Sequence, residues 1–529
     1  MLVTGYWSEP LLERERTKIF SPTLDSMINS DDPVRLVDEV LAAIDWSDWE
    51  AKYNGQRGQP PIHPRYIAGA ILYGMYRGIR SSRKLEEACR YRFDFIWLVE
   101  GLHIDHTTFA KFRTKFGRPL KGLFRQIGCV AMRLGLIRLG EVAFDGTRVK
   151  ANNSRYKTLT AKTLEEKLQA LDALFEQMIS ELQANDSRQA GSDSPTHLPP
   201  AVADVQQRRE QVRVALDQAQ TADQKRRRKG VNPEKNPAQV PTVDWDSKVM
   251  PNKEGGYAPN YTPVVTTDSQ YGFIVDCEVL SDVNETAAGA AAVDRIEETF
   301  GRKPDKFLTD AGNNSGSMMR QMEERGIEFY APVDSNQPLQ GSPAQRDDPT
   351  QAVPESAWSN LKRNSHGQLD KSCFVYSPEK DAYYCPQGHC MPFDRSKSVD
   401  RRGARVHVRV YRCGACAGCP LADVCLSGRS KGGGRTIRRD EYEPLREQTA
   451  ARMATSEGRR VYQQRPRIAE TPFGILKGVM GIRQFLLRGL EKVNTEWLWA
   501  VTSFNLEKLA RVLAILRAER TEFVCRAEI

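Results

Sequence analysis

The sequence predicts an α/β protein in which a mixed β-sheet, flanked by helices, follows an all-helical N-terminal domain. Three observations support this prediction: helical periodicity fills residues 30–135, β-type runs begin at residue 141, and strands then alternate with helices. With 529 residues, 40% of them hydrophobic, the chain is long enough for roughly three or four compact units and too apolar for wholesale disorder. A single small binding module is therefore excluded.

The N-terminal helices include a segment that we predict to be the second helix of a helix-turn-helix. Asp105 stands where a residue would cap this helix, and Phe109 and Phe112 recur on one face, which we expect to pack in a core. Arg113 and Lys115 are then expected on the outward face, as candidates for contact with DNA bases. Most short helix pairs are only packing units, so this function needs support from the rest of the chain.

Beyond residue 140 the sequence predicts the strands of the sheet. Residues 141–144 form one strand, and a β-hairpin follows at 261–280 with its turn at 268–272. A helix, a strand, a helix and a strand then occupy residues 285–300, 306–309, 315–326 and 328–333. Two of these strands lead directly into an aspartate, Asp145 and Asp310.

Between the first strand and the β-hairpin we predict a pair of antiparallel helices. Apolar residues from Leu164 to Leu182 are spaced alternately by four and three positions, as in a coiled coil. A polar, proline-containing stretch at 185–204 interrupts this pattern, and a second helical face then runs to the basic residues at 225–229.

Asp145, Asp310 and Glu470 are candidates for a shared metal site. Two carboxylates at neighbouring strand ends, joined by a third from a later helix, suit hard cations such as Mg²⁺ or Mn²⁺. A pair of such ions supports phosphoryl transfer by activating the attacking oxygen and stabilising the leaving oxygen. Lys477 lies seven residues after Glu470, about two helical turns, and is expected on the same face. An isolated Asp at a strand end is more often a cap or turn residue, so these residues indicate a metal site only in combination.

Six of the eleven cysteines lie between residues 385 and 425. Two Cys-x-x-Cys steps with a cysteine upstream predict a structural Zn²⁺ site, whereas free buried thiols are the alternative. Seven donors exceed the four that a tetrahedral site needs. The favoured ligands are Cys385, Cys416, Cys419 and Cys425, with Cys413, Cys390 and His389 in reserve.

Positive charge is concentrated between residues 395 and 439. This segment holds twelve Lys or Arg against two Asp, whereas the net charge of the whole chain is +9. Such clustering is typical of a polyanion-binding segment, because neutralised phosphates release counterions, although a solvated basic loop is the alternative. Arg401, Arg402 and Arg405 are the candidate phosphate contacts in this predicted loop.

Three blocks of the chain resemble the catalytic blocks of bacterial insertion-sequence transposases of the DDE type, closest to the eleven-eighty-two group. They are residues 145–154, which begin Asp-Gly-Thr-Arg, residues 310–312, Asp-Ala-Gly, and residues 470–477, Glu-Thr-Pro-Phe-Gly-Ile-Leu-Lys. A helical N-terminal domain and a Cys-rich segment before the glutamate also resemble these transposases. The resemblance covers most of the chain.

The resemblance implies an RNase H-like catalytic core in which Asp145, Asp310 and Glu470 hold two Mg²⁺ ions. It also implies that a basic signature around the glutamate contacts transposon-end DNA. The matching residues are Tyr462, Arg465, Arg467 and Lys477. Both arginines are candidates because Pro466 occupies the position four residues before Glu470 where the family has its arginine.

The implied function is a transposase that binds the terminal inverted repeats of its element, nicks them and joins the freed 3′-hydroxyls to target DNA. We expect it to act as a homodimer on double-stranded DNA. The alternatives are an inactive zinc-containing DNA-binding regulator, a metal-dependent nuclease that cuts without joining and, less favoured, a paired-carboxylate glycosidase. With neither a signal peptide nor an apolar run of ~20 residues, a cytoplasmic, nucleoid-associated protein without a membrane span is expected.

The predicted domains follow from these segments. They are the helical N-terminal DNA-binding domain at 1–139, the first part of the catalytic domain at 140–155, the helical-hairpin insertion at 156–239, the second catalytic part at 240–334, the Cys-rich, basic zinc-binding insertion at 335–445, the final catalytic segment with Glu470 at 446–490 and a C-terminal helix at 491–529.

Overall fold

The structure is a computed structural model. It describes residues 23–53, 60–154, 156–188, 200–228, 230–252, 255–282, 287–333, 341–401, 404–427 and 433–527. The described residues form two compact units, one of those up to Ile127 together with those from Thr502 onward, the other of those from Gly128 to Val501. Within these ranges, no helix has the length and apolar composition needed to cross a bilayer.

Helices fill most of the described chain up to residue 133, as its periodicity predicts. They are α1 Pro33–Ala42, α2 Ser47–Glu50, α3 Pro64–Tyr76, α4 Ser82–Tyr91, α5 Phe93–Leu98, α6 His106–Lys115 and α7 Gly117–Arg133. The predicted cap of α6 is confirmed, because the Asp105 carboxylate accepts hydrogen bonds from the backbone N–H groups of Thr107 and Thr108 at 2.7 and 3.0 Å.

The predicted aromatic face of α6 is also confirmed. The Trp49 ring stacks on Phe112 and Phe116, with ring centroids 5.5 and 5.2 Å apart, and Phe109 is fully buried beside them. These rings form a core that fixes α6 against the preceding helices. The side chain of His106 adds a polar contact, since its Nδ1 lies 2.7 Å from Oε2 of Glu86 on α4.

Arg113 does not lie on the outward face of α6, so that prediction is wrong. The residue is only 8% exposed, and its guanidinium donates a hydrogen bond to the carbonyl of Arg80. The buried stripe of α6 is wider than the phenylalanine spacing alone indicates, because the segment before α4 covers the flank that carries Arg113. Lys115 is exposed, as predicted, and its Nζ lies 5.4 Å from the centre of the Tyr53 ring.

A mixed sheet lies in the second unit. The strands of this part of the chain are β1 Glu141–Gly146, β2 Val149–Lys150, β3 Thr158–Leu159, β4 Val240–Pro241, β5 Lys248–Pro251, β6 Tyr257–Asp268, β7 Ile274–Leu280, β8 Lys306–Leu308 and β9 Glu328–Tyr330. Strands β7, β6 and β1 pair antiparallel in that order, and β8 and β9 continue the sheet parallel to β1. The mixed α/β architecture that the sequence predicts is therefore confirmed.

Four helices accompany these strands. They are α8 Ala161–Arg188, α9 Pro200–Arg228, α10 Ala288–Phe300 and α11 Gly316–Glu324. Helices α8 and α9 are antiparallel neighbours, since Asp172 accepts a hydrogen bond from Arg209 at 2.6 Å and Glu165 accepts one from Gln220 at 2.9 Å. Residues 189–199 of the predicted interruption, residue 229 of the basic run and the predicted start of the next helix at 285 lie outside the described residues.

The Cys-rich segment contains two small antiparallel sheets. One consists of β10 Val375–Ser377, β11 Ala382–Tyr384 and β12 Cys390–Met391. The other consists of β13 Phe393–Arg401, β14 Ala404–Arg412 and β15 Thr436–Asp440, and a short helix, α12, spans Ala422–Cys425. The predicted basic loop is thus largely a sheet. Its strand pattern was hidden among the charges: Val406, Val408 and Val410 are buried while the residues between them are exposed.

The chain then returns to the main sheet through helices. They are α13 Glu443–Ala454, α14 Ser456–Gln463, α15 Arg465–Gly474 and α16 Leu490–Ala527. A π-helical turn, Ile475–Val479, follows α15 directly. The α-helical spacing from which a shared face of Glu470 and Lys477 is predicted therefore does not hold along the whole segment. Pro472 within α15 lacks the N–H that would continue the α-helical ladder, which favours a change of helix type here.

Candidate active site

Asp145 and Asp310 lie at matching positions on neighbouring parallel strands. Ala143 of β1 is paired with Leu308 of β8, and each aspartate follows two residues later. Asp145 is the penultimate residue of β1, whereas Asp310 caps the short 3₁₀ turn that follows β8. The parallel register therefore brings the two carboxylates to the same edge of the sheet.

Asp310 is held in place by its own turn. Its Oδ1 accepts hydrogen bonds from the backbone N–H of Asn313 at 3.1 Å and from Nδ2 of the same residue at 3.2 Å. Asn313 is 3% exposed, so this clamp is shielded from water. No pattern in the sequence predicts this role of Asn313.

Arg465 is an ion-pair partner of Asp145. Its Nη2 lies 3.2 Å from Oδ2 of Asp145, and the exposed fractions of the two side chains are 10% and 16%. Oδ1 of Asp145 accepts the N–H of Gly146 at 2.9 Å. The prediction that Arg465 is available to DNA does not fit this position in the free protein, whereas Arg467 is exposed. The buried face of α15 explains the difference, since Arg465 precedes the buried Ile468 and Ala469 by three and four residues.

Tyr462 stands among these charges. Burial raises the pKa of its phenol, the carboxylates of Asp310 and Asp145 raise it further and Arg465 opposes them. The Tyr462 side chain also packs on a cluster that includes Ala143 and Leu308. Tyr462 therefore lies at the same edge of the sheet as the two aspartates.

Glu470 projects from the helix that packs on this edge. Its neighbour Ala469 is buried in the same cluster as Ala143 and Leu308, whereas Glu470 itself is exposed. Within the part of the chain that the structure describes, no three His, Cys, Asp or Glu side chains are arranged so that they could hold a metal ion. The structure thus brings Asp145 and Asp310 to one edge of the sheet, whereas Glu470 lies exposed on the helix that packs against it, and the described residues form no closed metal site there.

Lys477 fixes the turn after β1. Its Nζ donates to Oγ1 of Thr147 at 2.5 Å and to the carbonyl of Arg148 at 2.8 Å. Arg148 in turn donates to Oγ1 of Thr262 at 2.7 Å. The resemblance implies that Lys477 contacts DNA, and in the structure this side chain links the π-helical turn to the residues that follow Asp145.

The predicted zinc ligands surround one small cavity. Its lining includes the four favoured cysteines together with two of the reserves, namely Cys385, Cys413, Cys416, Cys419, Cys425 and His389. The third reserve, Cys390, is exposed on β12 and is not part of this lining. The Arg435 side chain closes one wall by donating to the carbonyls of Cys425 and Leu369 at 2.9 and 2.8 Å.

The thiols of this cavity influence one another. A hydrogen bond from Cys413 lowers the pKa of Cys385, whereas burial raises the pKa of Cys425 to about 12. The backbone N–H of Arg435 lies 3.3 Å from Sγ of Cys416, a contact that orients a sulfur ligand. The donor set is one that Zn²⁺ prefers, although the thiols as they stand do not form a coordination shell.

Several arginines of the basic β13–β14–β15 sheet form ion pairs within the protein. Arg395 and Arg412 pair with Asp394 on β13, whereas Arg409 pairs with Asp381 and Arg439 with Glu447, both of which lie outside the sheet. No ion-pair partner is found among the described residues for Lys397, Arg405 or Arg438. Arg402 lies outside the described residues, and so does the side chain of Arg401.

Two parts of the chain match transposase family models. Residues 384–510 match the model described as "Transposase DDE domain", and residues 22–115 match the one described as "Transposase domain (DUF772)". The first match contains Glu470 and the zinc-ligand candidates, and the second ends with α6. Asp145 and Asp310 lie outside both matched segments.

The comparisons with solved structures and with curated proteins do not define the fold or the family of this chain. The similar structures include "Crystal structure of the Mos1 Strand Transfer Complex" and "Mos1 transposase paired-end complex with left transposon end", at 10% and 9% identity. Each match covers 54% of this chain and 64% of the Mos1 chain with a TM-score of 0.14, which is too low to define a fold. No match is found among curated proteins. Similarity to transposases therefore rests on the two family models, which together match less than half of the chain.

Proposed function

We propose that this protein is a transposase of the eleven-eighty-two group that binds the terminal inverted repeats of its element, nicks them and joins the freed ends to target DNA. The observation that carries the proposal is the register of β1 and β8, which places Asp145 and Asp310 side by side. Helix α15, which bears Glu470, packs on the same strands. Three antiparallel strands extended by two parallel ones support an RNase H-like core for this site.

In this proposal Asp145, Asp310 and Glu470 hold two Mg²⁺ or Mn²⁺ ions. When bound, such ions lower the pKa of the attacking oxygen and stabilise the leaving oxygen. Asn313 orients the Asp310 carboxylate, and Lys477 fixes the turn beyond Asp145. A water attacks the phosphodiester and frees a 3′-hydroxyl; that hydroxyl then attacks a target phosphodiester and displaces the target 3′-oxygen. Neither step needs a covalent enzyme–DNA intermediate.

Double-stranded DNA is the proposed partner, bound by a homodimer. The N-terminal helices would supply the sequence preference, because only contacts to base edges discriminate between sequences. Lys115 remains a candidate contact there, whereas the buried Arg113 does not. Near the active site, the exposed Arg467 is the remaining arginine of the basic signature that is open to DNA.

A structural Zn²⁺ ion completes the proposal. Cys385, Cys416, Cys419 and Cys425 are its proposed ligands, and the contact of Cys413 with Cys385 makes Cys413 the first reserve. Bound there, the metal would join the turn after β11 to the segment before β15. It would thereby support the basic sheet that presents Arg405 to DNA phosphates.

Replacing Arg401, Arg402 and Arg405 together by Ala should weaken binding to all DNA sequences alike. Three lost phosphate contacts should reduce the salt dependence of binding by up to roughly three phosphate equivalents. Binding to end and random duplexes would be measured across a salt series. A matched loss of three charges on α9, at Lys225, Arg227 and Arg228, should have a much smaller effect. A loss of preference for the ends, rather than of overall affinity, would contradict the assignment.

Incubation of the protein with Mg²⁺ and labelled element ends tests the proposed function. Nicked ends and joined products are expected, and both should depend on the divalent ion. Nicked ends without joined products would favour a nuclease that only cuts. Selective end binding without either product would favour an inactive regulator on a transposase scaffold.

A further inference from the structure

The ion pair between Arg465 and Asp145 involves a carboxylate of the proposed metal site. Arg465 is the first residue of α15, and Pro466 directly after it fixes the start of the helix. Its guanidinium meets Asp145 at 3.2 Å, with both side chains largely removed from water. A cation therefore already occupies one side of this carboxylate.

Both oxygens of Asp145 have a donor in the DNA-free protein. Oδ1 accepts the N–H of Gly146 and Oδ2 faces Nη2 of Arg465. A divalent cation coordinates the same carboxylate oxygens, and its charge repels a guanidinium at that distance. The positive charge of Arg465 and a bound metal ion are therefore alternatives at Oδ2.

We infer that Arg465 acts as a placeholder cation that competes with the divalent metal for Asp145 and must leave this carboxylate before the metal site closes. The inference rests on the proposed function for the identity of the metal site. It gives Arg465 a role in the metal occupancy of the free protein, separate from any contact with DNA. Two ligands that exclude each other at one site are linked, so weakening one strengthens the other.

Mn²⁺ binding to the full-length, DNA-free protein measures this competition. Free Mn²⁺ would be followed by electron paramagnetic resonance during titration of the wild type and of Arg465→Gln. We expect the variant to bind about tenfold more tightly, at the lower end of the range for coupled sites. The matched control is Arg460→Gln, which removes an exposed charge from the neighbouring helix α14 and should change the affinity by less than about twofold.

A second variant shows where the additional binding occurs. Adding Asp145→Asn to Arg465→Gln should abolish the gain, because the gain requires that carboxylate. Mn²⁺ should also raise the Tm of Arg465→Gln more than that of the wild type, since a ligand stabilises the state it binds. If Arg465→Gln does not fold, Arg465→Lys keeps a charge while removing the guanidinium fork and should give a smaller gain.

Three results would overturn the inference. They are unchanged or weaker Mn²⁺ binding by Arg465→Gln, an equal gain in Arg460→Gln, and no saturable binding by any of the proteins. The proposed function fails on a different observation, namely the absence of DNA cleavage and joining. A protein with the expected Mn²⁺ competition and no DNA products would retain the placeholder and lose the transposase assignment.

Discussion

Asp145→Asn, Asp310→Asn and Glu470→Gln should each reduce cleavage of element ends by at least about 10³-fold while leaving end binding largely intact. A catalytic metal ion supplies several kcal/mol of transition-state stabilisation, and about 1.4 kcal/mol corresponds to a factor of ten in rate. Each substitution replaces a charged ligand by a neutral amide of the same shape. The site would therefore lose metal affinity without losing its packing.

The measurement compares cleavage rates and end-binding affinities of the three variants with those of the wild type. Asp305→Asn is a matched control, because this aspartate precedes β8 at the opposite end from Asp310 and its side chain is 60% exposed. It should cleave at the wild-type rate. Wild-type cleavage by any of the three variants would remove that residue from the site.

The purified protein should contain about one tightly bound Zn²⁺ per chain, and loss of this metal should unfold the Cys-rich segment. Structural zinc binding contributes directly to folding free energy, so apo protein should open around the thiol-lined cavity. Cys416→Ser should lose the metal. It should also make amides in residues 341–427 exchange with solvent far faster than in the wild type, because the cavity would lose the metal that links its cysteines.

Metal analysis and hydrogen exchange test this expectation. Cys390→Ser is the matched control, since Cys390 is exposed and does not line the cavity, and it should keep both the zinc and the protection. Protein prepared without chelator that contains no zinc would contradict the prediction. Equal loss of zinc in both variants would instead require a different ligand set.

Local patterns in the sequence predict much of the fold. Asp105 caps α6 through bonds to residues two and three positions later, and the β6–β7 hairpin follows from β-branched runs around a turn. Both depend on neighbours in the chain. The burial of Arg113 does not, because it results from contact with Arg80, which lies 33 residues earlier. Sequence periodicity indicates which side of a helix is apolar, but it does not show how far neighbouring segments cover the flanks.

The candidate site also combines features that the sequence predicts with features that depend on tertiary contacts. The position of Asp145 and Asp310 at one edge of the sheet is predictable, since neighbouring parallel strands end at a common edge. The burial of Arg465 is predictable from its spacing to Ile468 and Ala469, but the family resemblance implies a DNA contact instead. In the basic sheet, a count of local charges missed the counter-charges, because Asp381 and Glu447 reach it through the tertiary fold.

Because Ile475–Val479 form a π-helical turn, the orientation of Lys477 depends on the number of residues in this segment as well as on their identity. A π-turn holds one residue more than an α-turn over the same rise, and each residue advances a helix by about 100°. Removing one residue from the turn would restore α-helical phase and rotate Lys477 away from Thr147 and Arg148. Substitutions at the exposed Gly478 and Val479 leave that phase unchanged. The contacts of Lys477 with the turn after β1 therefore depend on the number of residues in this segment and not on the identity of the two exposed residues that follow Lys477.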